Sequence, residues 1–256
     1  MKMEENILIR CSALHAIMGD PKSKEAREKG ELSKTAQDYV IMVFKENLLK
    51  AGGVNDIRLG FKGNKYTEKG LVMEDTAIKN SGMIRFKSYK KNETRLNNGL
   101  ITGECDIYDE KSRLIIDTKC TYSIESHPFF LHEAEQKASD AGYDLQMQGY
   151  MWLYDCDYAD VDFWLLPTPI ETMRNNEDAD VLIDAVNNIP LDKRVTTVRY
   201  KRNNLIIKQI ENKAAKCQDF YKRLLAEFQD KKFGRNSTSK TEKEVPENPN
   251  RKVVLL

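Results

Sequence analysis

Two carboxylates and a lysine lie close together in the stretch GECDIYDEKSRLIIDTKC, residues 103–120. Side chains alternate across a strand, so Asp117 and Lys119, two residues apart, share one face whatever the strand pairing. A four-residue turn over 109–112 would place Asp106 diagonally from Asp117 on that face, about 7 to 8 Å away. Two carboxylates at that separation can share a Mg²⁺ ion, whose oxygen ligands lie at about 2.0 to 2.1 Å.

Lys119 beside such an ion could hold a water nucleophile or neutralise charge that develops on a phosphate. The turn over 109–112 also predicts that Tyr108 pairs with Arg113, and it adds Glu104 to the charged face. For the hairpin taken alone, an ordinary exposed face is the favoured interpretation, because Asp, Thr and Lys are common on such faces.

Three further residues shift the balance towards a phosphate-handling site. Glu74 lies in GLVMEDTAI, a predicted helix that could direct a third carboxylate at the hairpin. Gln146 and Tyr150 lie four residues apart in YDLQMQGYMWLYD and therefore share a helix face. A neutral amide and a phenol can bind a water or a phosphate oxygen without competing for a metal ion.

The elements that would position these residues follow from hydrophobic spacing. LSKTAQDYVIMVFKENLLKAGG is predicted as a helix that Ser33 caps and that Gly52 and Gly53 end. TEKGLVMEDTAIKN is predicted as a second helix, with Gly70 before it or in its first turn. Strands are predicted from Met83 to Lys119, with a break at DEKS.

Downstream, HEAEQKASDAGYDLQMQGYMWLYD is predicted as helix and DYADVDFWLLPTP as a strand that Pro167 and Pro169 end. KRVTTVRYKRNNLIIKQI then runs into a long amphipathic helix that ends near Phe233. This order predicts an α/β fold with a central mixed β-sheet flanked by helices.

Composition narrows the class of protein. The chain has 256 residues, 41 Lys and Arg against 40 Asp and Glu, and five cysteines. The near-neutral balance means that any affinity for nucleic acid must come from local patches. The cysteines are scattered without a C-x-x-C pair, which argues against a zinc ribbon or a cysteine-bound cluster and favours buried thiols in a reducing compartment. Without a secretory or membrane-spanning segment, a soluble intracellular protein is expected.

Taken in order, these motifs resemble the PD-(D/E)xK nuclease superfamily, and within its RecB-like branch the phage-type alkaline exonucleases of the lambda exonuclease/YqaJ kind. Glu74 resembles the helix-borne Glu of that family, and Asp106 resembles its first strand Asp. Asp117 and Lys119 resemble its (D/E)-x-K motif, and QMQGYMW, beginning at Gln146, resembles its downstream Gln motif. The resemblance covers roughly residues 7–166 and implies the restriction-endonuclease-like core of this superfamily.

The chain departs from the family pattern at several points. Cys105 stands where a proline usually precedes the first Asp, and Asp117 stands where Glu is more common. The family binds a 5′-phosphate with an Arg and a Ser near the N-terminus. Ser12 aligns with that serine, and Arg10 is our substitute for the arginine, which does not fall into register.

The resemblance implies hydrolysis of phosphodiester bonds with Mg²⁺, or with Mn²⁺ as an alternative ion. Lys119 would orient or help deprotonate the attacking water, and Gln146 would position that water or the scissile phosphate. Tyr150 would join Arg10 and Ser12 in binding DNA. The expected metal ligands are Glu74, Asp106, Asp117 and the backbone carbonyl of Thr118.

At the level of the whole protein, the resemblance implies an exonuclease at duplex DNA ends, 5′-to-3′, that leaves single strands for phage-type recombination. The resemblance also implies a homotrimer and a single-strand annealing protein as partner. The expected location is the cytoplasm of a bacterial host that carries the phage or prophage. Residues 1–233 are expected to form one nuclease domain, with a catalytic core at about 66–170 and a C-terminal helical part at about 200–233. Residues 234–256 are predicted to form a flexible tail. Their VVLL terminus is interpreted as a docking peptide or as a strand that returns to the parent domain.

Two basic runs, Arg85 to Arg95 and Lys193 to Arg202, could track phosphates, although solvated surface is the commoner meaning of such runs. An endonuclease on the same fold and a catalytically silent DNA-binding or assembly protein are the alternative functions. A RecB-like nuclease of CRISPR adaptation is disfavoured because its cysteine cluster is missing. A structural Ca²⁺ site is disfavoured because Lys119 would lie beside the ion.

Overall fold

A computed structural model of the chain describes residues 3–55, 57–60 and 62–230. Its strands are β1 (Ile9–Arg10), β2 (Leu96–Asn97), β3 (Ile101–Gly103), β4 (Ile107–Asp109), β5 (Leu114–Thr121), β6 (Tyr158–Leu165) and β7 (Val195–Lys201). Its helices are α1 (Leu14–Met18), α2 (Lys24–Glu28), α3 (Lys34–Ala51), α4 (Lys65–Met83), α5 (Leu131–Asp140), α6 (Tyr143–Leu153), α7 (Ala185–Asn187) and α8 (Asn204–Asp230). The predicted tail at 234–256 and the helix end near Phe233 lie outside the described residues.

Helices α3 and α4 form where the sequence predicts them. Ser33 caps α3 by accepting a hydrogen bond from the Ala36 N–H at 3.2 Å, and Gly52 follows the last helical residue. Asn64 caps α4 in the same way, at 3.0 Å from the Tyr66 nitrogen, so α4 begins before the predicted stretch. Helix α4 therefore includes Gly70 in its interior and extends to Met83.

Two sequence-based boundaries are wrong. The strands predicted from Met83 onward begin only at Leu96, because α4 runs to Met83 and residues 84–95 form an irregular connection. The helical stretch after residue 131 is divided into α5 and α6 by Gly142, which has a φ of 72°. A Cβ atom at Gly142 would also lie 2.5 Å from the Cβ atom of His15, so this close approach requires glycine.

The main sheet has the strand order β4-β5-β6-β7. Strand β5 is antiparallel to β4 and parallel to β6, and β7 is antiparallel to β6. A smaller sheet has the order β1-β3-β2. The predicted α/β fold with a mixed sheet and flanking helices is thus confirmed.

Helices cover both faces of the main sheet because its strands are apolar on both sides. On one face Ile115 and Phe163 join a large core with residues of α1, α3, α6 and α8. On the other face Ile116 packs against Ile78 of α4. The large core contains residues from Ile7 to Leu225.

A buried ion-pair network connects α4 to β6. The Arg85 guanidinium donates to Asp162 Oδ2 at 2.7 Å and to Asp160 Oδ2 at 3.0 Å. Both aspartates are fully buried, and Ser81 and Thr197 each donate a further hydrogen bond to Asp162 at 2.6 Å. Although burial opposes its charge, the carboxylates of Asp162 and Asp160 raise the pKa of Arg85.

The five cysteines are free thiols, as the sequence predicts. Within the residues that the structure describes, no helix is long and apolar enough to span a membrane.

Candidate active site

The hairpin that carries the acidic residues has a different register from the predicted one. Tyr108 pairs with Ile115, not with Arg113, because Asp109 remains in β4 and the turn spans 110–113. The Asp109 side chain accepts a hydrogen bond from the Ser112 N–H at 3.2 Å, which stabilises this turn. The register brings Asp106, just before β4, level with Asp117 instead of diagonal to it.

Strand β4 is short, and this exposes an edge of β5. It pairs only with Leu114 to Ile116, so the later residues of β5 have no β4 residue opposite them. The Asp106 side chain replaces the missing strand: its Oδ2 accepts hydrogen bonds from the Thr118 N–H at 2.6 Å and the Thr118 hydroxyl at 2.8 Å. Asp106 is thereby fixed against the strand that carries Asp117 and Lys119.

Asp117 and Lys119 form a buried pair on the α6 side of β5. Asp117 is 2% exposed, and its Oδ2 contacts the Lys119 ammonium without receiving a well-aligned hydrogen bond. Burial raises the pKa of Asp117 to about 6, with Lys119 opposing the shift and the charges of Asp106 and Glu74 adding to it. Although burial opposes it, the carboxylates of Asp117 and Asp106 raise the pKa of Lys119.

Helix α4 closes the site from the other side. Glu74 faces Asp106 and Lys119 across a cleft of about 580 Å³ and is paired with Lys91. The remaining wall is largely aromatic and basic. It includes Tyr66, Tyr122, Tyr143, Phe163, Ser126 and Lys137.

The acidic residues suit a divalent cation in charge but are held by lysines in this structure. In residues 3–230, apart from 56 and 61, no three acidic, His or Cys side chains are grouped closely enough to hold an ion. Glu74 and Asp117 are paired with Lys91 and Lys119 instead. The Asp117 Oδ2 that lacks an aligned hydrogen bond, and the charges of Asp106 and Glu74 that add to the effect of burial on the Asp117 pKa, mark where a cation would be favoured. By donor chemistry Glu74, Asp106 and Asp117 suit a metal ion, but the structure does not bring them together as one cluster.

Gln146 and Tyr150 are neighbours on one face of α6, as their spacing predicts. The Gln146 amide donates to the Tyr150 hydroxyl at 3.0 Å, and that hydroxyl donates to the Glu104 carbonyl at 3.0 Å. Both side chains are buried. Burial, and next the charge of Asp117, raise the pKa of Tyr150, so its hydroxyl keeps its proton.

A second, smaller pocket of about 180 Å³ adjoins the acids. It contains Arg10, Ser12 and Tyr150, the three residues that the resemblance assigns to DNA binding. Sequence reasoning missed Arg58 in this pocket. Its wall is formed by Arg10, Cys11, Ser12, Arg58, Arg95, Thr102, Gly103, Glu104 and Tyr150.

Two of the three arginines in this smaller pocket are partly neutralised. Arg10 pairs with Glu46 at 2.9 Å, and Arg95 pairs with Glu104 at 3.2 Å. The third, Arg58, lies in NDIRLGFK, a stretch without any motif. Because the pocket wall itself contributes one carboxylate against three guanidinium groups, it favours an anion.

Several cations of the two basic runs form ion pairs within the protein. In the first run, Arg85 is buried against Asp160 and Asp162, and Lys87 pairs with Asp109 at 2.5 Å. The second run shows the same pattern, since Arg199 pairs with Asp160 at 2.7 Å. Carboxylates distant in sequence thus neutralise these three cations, whereas Arg95 of the first run lines the smaller pocket.

His127 lies behind the cleft and makes the stability of the protein depend on pH. It is 5% exposed, and its Nδ1 is 3.1 Å from the Thr121 hydroxyl. Burial, and next the charge of Lys137, lower the pKa of His127 to about 4. The unfolded chain, with a histidine pKa of about 6.5, binds this proton more readily.

We therefore expect His127 to contribute full stability above about pH 6.5 and progressively less as the pH falls towards 4. The slope should reach up to about 1.4 kcal/mol per pH unit. Urea unfolding from pH 4.5 to 7.5 gives the free energy of unfolding of the wild type and of His127→Phe at each pH. The difference between the two proteins is the contribution of His127. Parallel curves would show that His127 does not titrate in this way.

The chain is similar to solved exonuclease structures. It is 47% identical to a phage-related exonuclease from Haemophilus somnus 129PT, with a TM-score of 0.79 over 87% of this chain and 97% of that one. An alkaline exonuclease from Laribacter hongkongensis, LHK-Exo, is 16% identical, with a TM-score of 0.51 over 87% of this chain and 90% of that one. The structure of LHK-Exo in complex with dAMP is also 16% identical, with a TM-score of 0.50 over 87% of this chain and 90% of that one. At 16% identity, the two LHK-Exo structures show a common fold alone.

No protein-family model matches the chain, and no curated protein is a significant match.

Proposed function

The chain belongs to the family of phage-related exonucleases, and from this premise we propose that it is a Mg²⁺-dependent exonuclease acting on the ends of duplex DNA. The observation that carries the proposal is the closeness of two sites: a cleft lined by Glu74, Asp106 and Lys119, with the buried Asp117 paired to that lysine, and a small pocket rich in arginine. The first suits cleavage of a phosphodiester and the second suits a terminal phosphate. Membership of the PD-(D/E)xK superfamily, of the YqaJ kind, is part of the same proposal.

In the proposed reaction, Glu74, Asp106, Asp117 and the carbonyl of Thr118 would hold the metal ion. When bound, the ion supplies Lewis-acid stabilisation of the charge on the phosphate and lowers the pKa of a water molecule. Asp106 keeps its position through its two hydrogen bonds to Thr118, so this acid is fixed before the substrate arrives.

Lys119 has two roles in this mechanism. Without substrate its ammonium pairs with Asp117 and neutralises a buried carboxylate. When a phosphate enters the cleft, the same ammonium orients the attacking water and offsets charge on the phosphate oxygens. Tyr143, whose ring centroid is 4.9 Å from Lys119 Nζ, restricts the lysine to this region of the cleft. Gln146, whose amide donates to the Tyr150 hydroxyl, would position the water or the scissile phosphate.

The pocket with Arg10, Ser12 and Tyr150 explains the preference for ends. A volume of about 180 Å³ admits a phosphate group and little more. A 5′-phosphate held there places the first phosphodiester of the strand at the acids, which gives 5′-to-3′ digestion with release of mononucleotides. Its arginines offer the planar, paired donors that recognise phosphate.

The biological role that we propose is to convert duplex ends into single strands for phage-type recombination in the cytoplasm of a bacterial host. The working form would be a homo-oligomer, a trimer by family resemblance, with a single-strand annealing protein as partner. The nuclease domain would span 1–233, with the acids in its core at about 66–170.

Incubation with linear duplex DNA labelled at either the 5′ or the 3′ end, and with closed circular DNA, tests this function. In Mg²⁺ we expect digestion of linear DNA alone, with the 5′ label released first as a mononucleotide. Lys119→Ala should lower the rate by at least about a hundredfold, because it removes a cation that stabilises the reacting phosphate.

Each of the other possible results would indicate a different function for this protein. Cleavage of the circle would indicate an endonuclease, and first release of the 3′ label would reverse the polarity. Activity without Mg²⁺ would remove the metal from the mechanism. Binding of DNA without any cleavage would favour a catalytically silent DNA-binding protein.

A further inference from the structure

The cleft carries a second lysine, opposite the acids. Lys137 lies in α5, and its ammonium donates to the carbonyl oxygen of Ser126 at 2.6 Å. Lys119, the other lysine of the wall, is paired with Asp117, whereas within the described part of the chain Lys137 has no carboxylate at ion-pair distance. The cleft therefore holds a cation without a counter-charge.

The surroundings of Lys137 make an anion favourable. Burial lowers the pKa of Lys137, which shows that the charged form loses hydration without compensation from an acid. Its charge also lowers the pKa of His127, in addition to the larger effect of burial. A phosphate oxygen at this point would restore the missing counter-charge through a charge-assisted hydrogen bond.

The space between Lys137 and the acids has the size and lining of a nucleoside subsite. A cleft of about 580 Å³ is more than one phosphate needs and lies within the range of small-molecule sites, about 300 to 1,000 Å³. Tyr66 and Tyr143 line it, and aromatic rings of this kind stack on unpaired bases. Tyr66 is 54% exposed, so its ring is available for such a contact.

We propose that Lys137 binds the phosphate next to the scissile phosphate, on the side away from the strand end, with the intervening nucleoside in the aromatic part of the cleft. This proposal rests on the proposed exonuclease function. The strand would then be held at three successive phosphates: the terminal one at Arg10, the scissile one at Asp117 and Lys119, and the next one at Lys137.

A neutral linkage placed in the substrate tests this contact. In a 5′-phosphorylated duplex, the second linkage from the 5′ end is replaced by a methylphosphonate, which lacks the negative charge. For the wild type we expect kcat/KM to fall about tenfold to a hundredfold, the size of one charge-assisted hydrogen bond. Lys137→Met should show the same fall on ordinary DNA and no further fall with the methylphosphonate.

Matched variants separate charge from folding. Lys137→Arg should recover most of the activity, and Lys79→Met, which removes an exposed lysine of α4, should behave as wild type. A methylphosphonate at the fifth linkage should affect the wild type and Lys137→Met equally. If the second-linkage penalty is the same in both proteins, the assigned contact is wrong.

Binding measurements test the contact between Lys137 and a phosphate independently of cleavage. In EDTA, the slope of log Kd against log salt for a labelled duplex should be smaller for Lys137→Met by about 0.7 to 0.9, the value for one phosphate contact. An unchanged slope, or a lower thermal midpoint as the only effect, would assign Lys137 a structural role. If the wild type cleaves no DNA, the proposed function fails, and the salt slope still tests the phosphate subsite.

Discussion

Replacement of Asp117 by asparagine is expected to lower the rate of DNA hydrolysis by about a thousandfold or more while the protein remains folded. The substitution keeps the shape of the side chain and removes the charge that would hold a metal ion, and losses of a well-positioned charge-stabilising group are of this size. Folding should survive because burial already favours the neutral form of this carboxyl, whose pKa is raised to about 6. Lys119, freed from the pair, is 26% exposed and can reach water.

Metal binding gives a second readout for the same variant. A ligand at a hundred times its Kd stabilises a folded protein by about 2.7 kcal/mol, so Mg²⁺ should raise the thermal midpoint of the wild type. Asp117→Asn should lose most of this increase. Asp219→Asn, at an exposed position of α8, is the matched control and should keep both the activity and the Mg²⁺ effect.

Other outcomes would change the assignment of Asp117. If Asp117→Asn unfolds the protein, the carboxylate is structural, as a structural metal site would require. If the variant cleaves DNA at the normal rate, Asp117 is not part of the catalytic site.

The second large effect is expected for Arg85→Met, which should reduce the free energy of unfolding by about 3 to 5 kcal/mol. Asp160 and Asp162 are fully buried on β6, and Arg85, with 16% of its side chain exposed, donates to both. Removal of the guanidinium leaves two buried carboxylates with incomplete compensation, since Arg199 reaches only Asp160. Urea unfolding at pH 7.5, followed by circular dichroism, measures the loss.

Arg113→Met is the matched control for this prediction. Arg113 also pairs with two aspartates, Asp155 and Asp157, but these pairs are exposed to solvent. Water screens such pairs, so the unfolding midpoint should not change measurably. Equal effects of the two substitutions would show that the buried network contributes no more than a surface pair.

Much of the site could be read from the sequence because its signals are local. The strand period places Asp117 and Lys119 on one face, and the helix period places Gln146 beside Tyr150. Ser33 marks the start of α3 through a hydrogen bond that spans three residues. Each of these relations depends on covalent spacing alone, so the rest of the fold cannot alter it.

The register of the hairpin could not be predicted from such local relations. Residue types at 109–113 allow several turns, and which of them forms depends on whether Asp109 stays in β4. In the structure Asp109 also accepts a hydrogen bond from Lys87, a residue 22 positions away, which favours the observed turn. A shift of two residues in the pairing then brings Asp106 level with Asp117 and onto Thr118.

The sequence by itself determined which residues share a face and which elements hold them, since periodicity acts over a few residues. The tertiary structure alone decided how charges distant in sequence are paired. It placed Arg85 against acids 75 and 77 residues away, brought Arg58 beside Arg10, and, within the described residues, left Lys137 without an acid at ion-pair distance. An ion pair of this kind depends on which surfaces pack together, and a balanced charge composition is compatible with many such pairings.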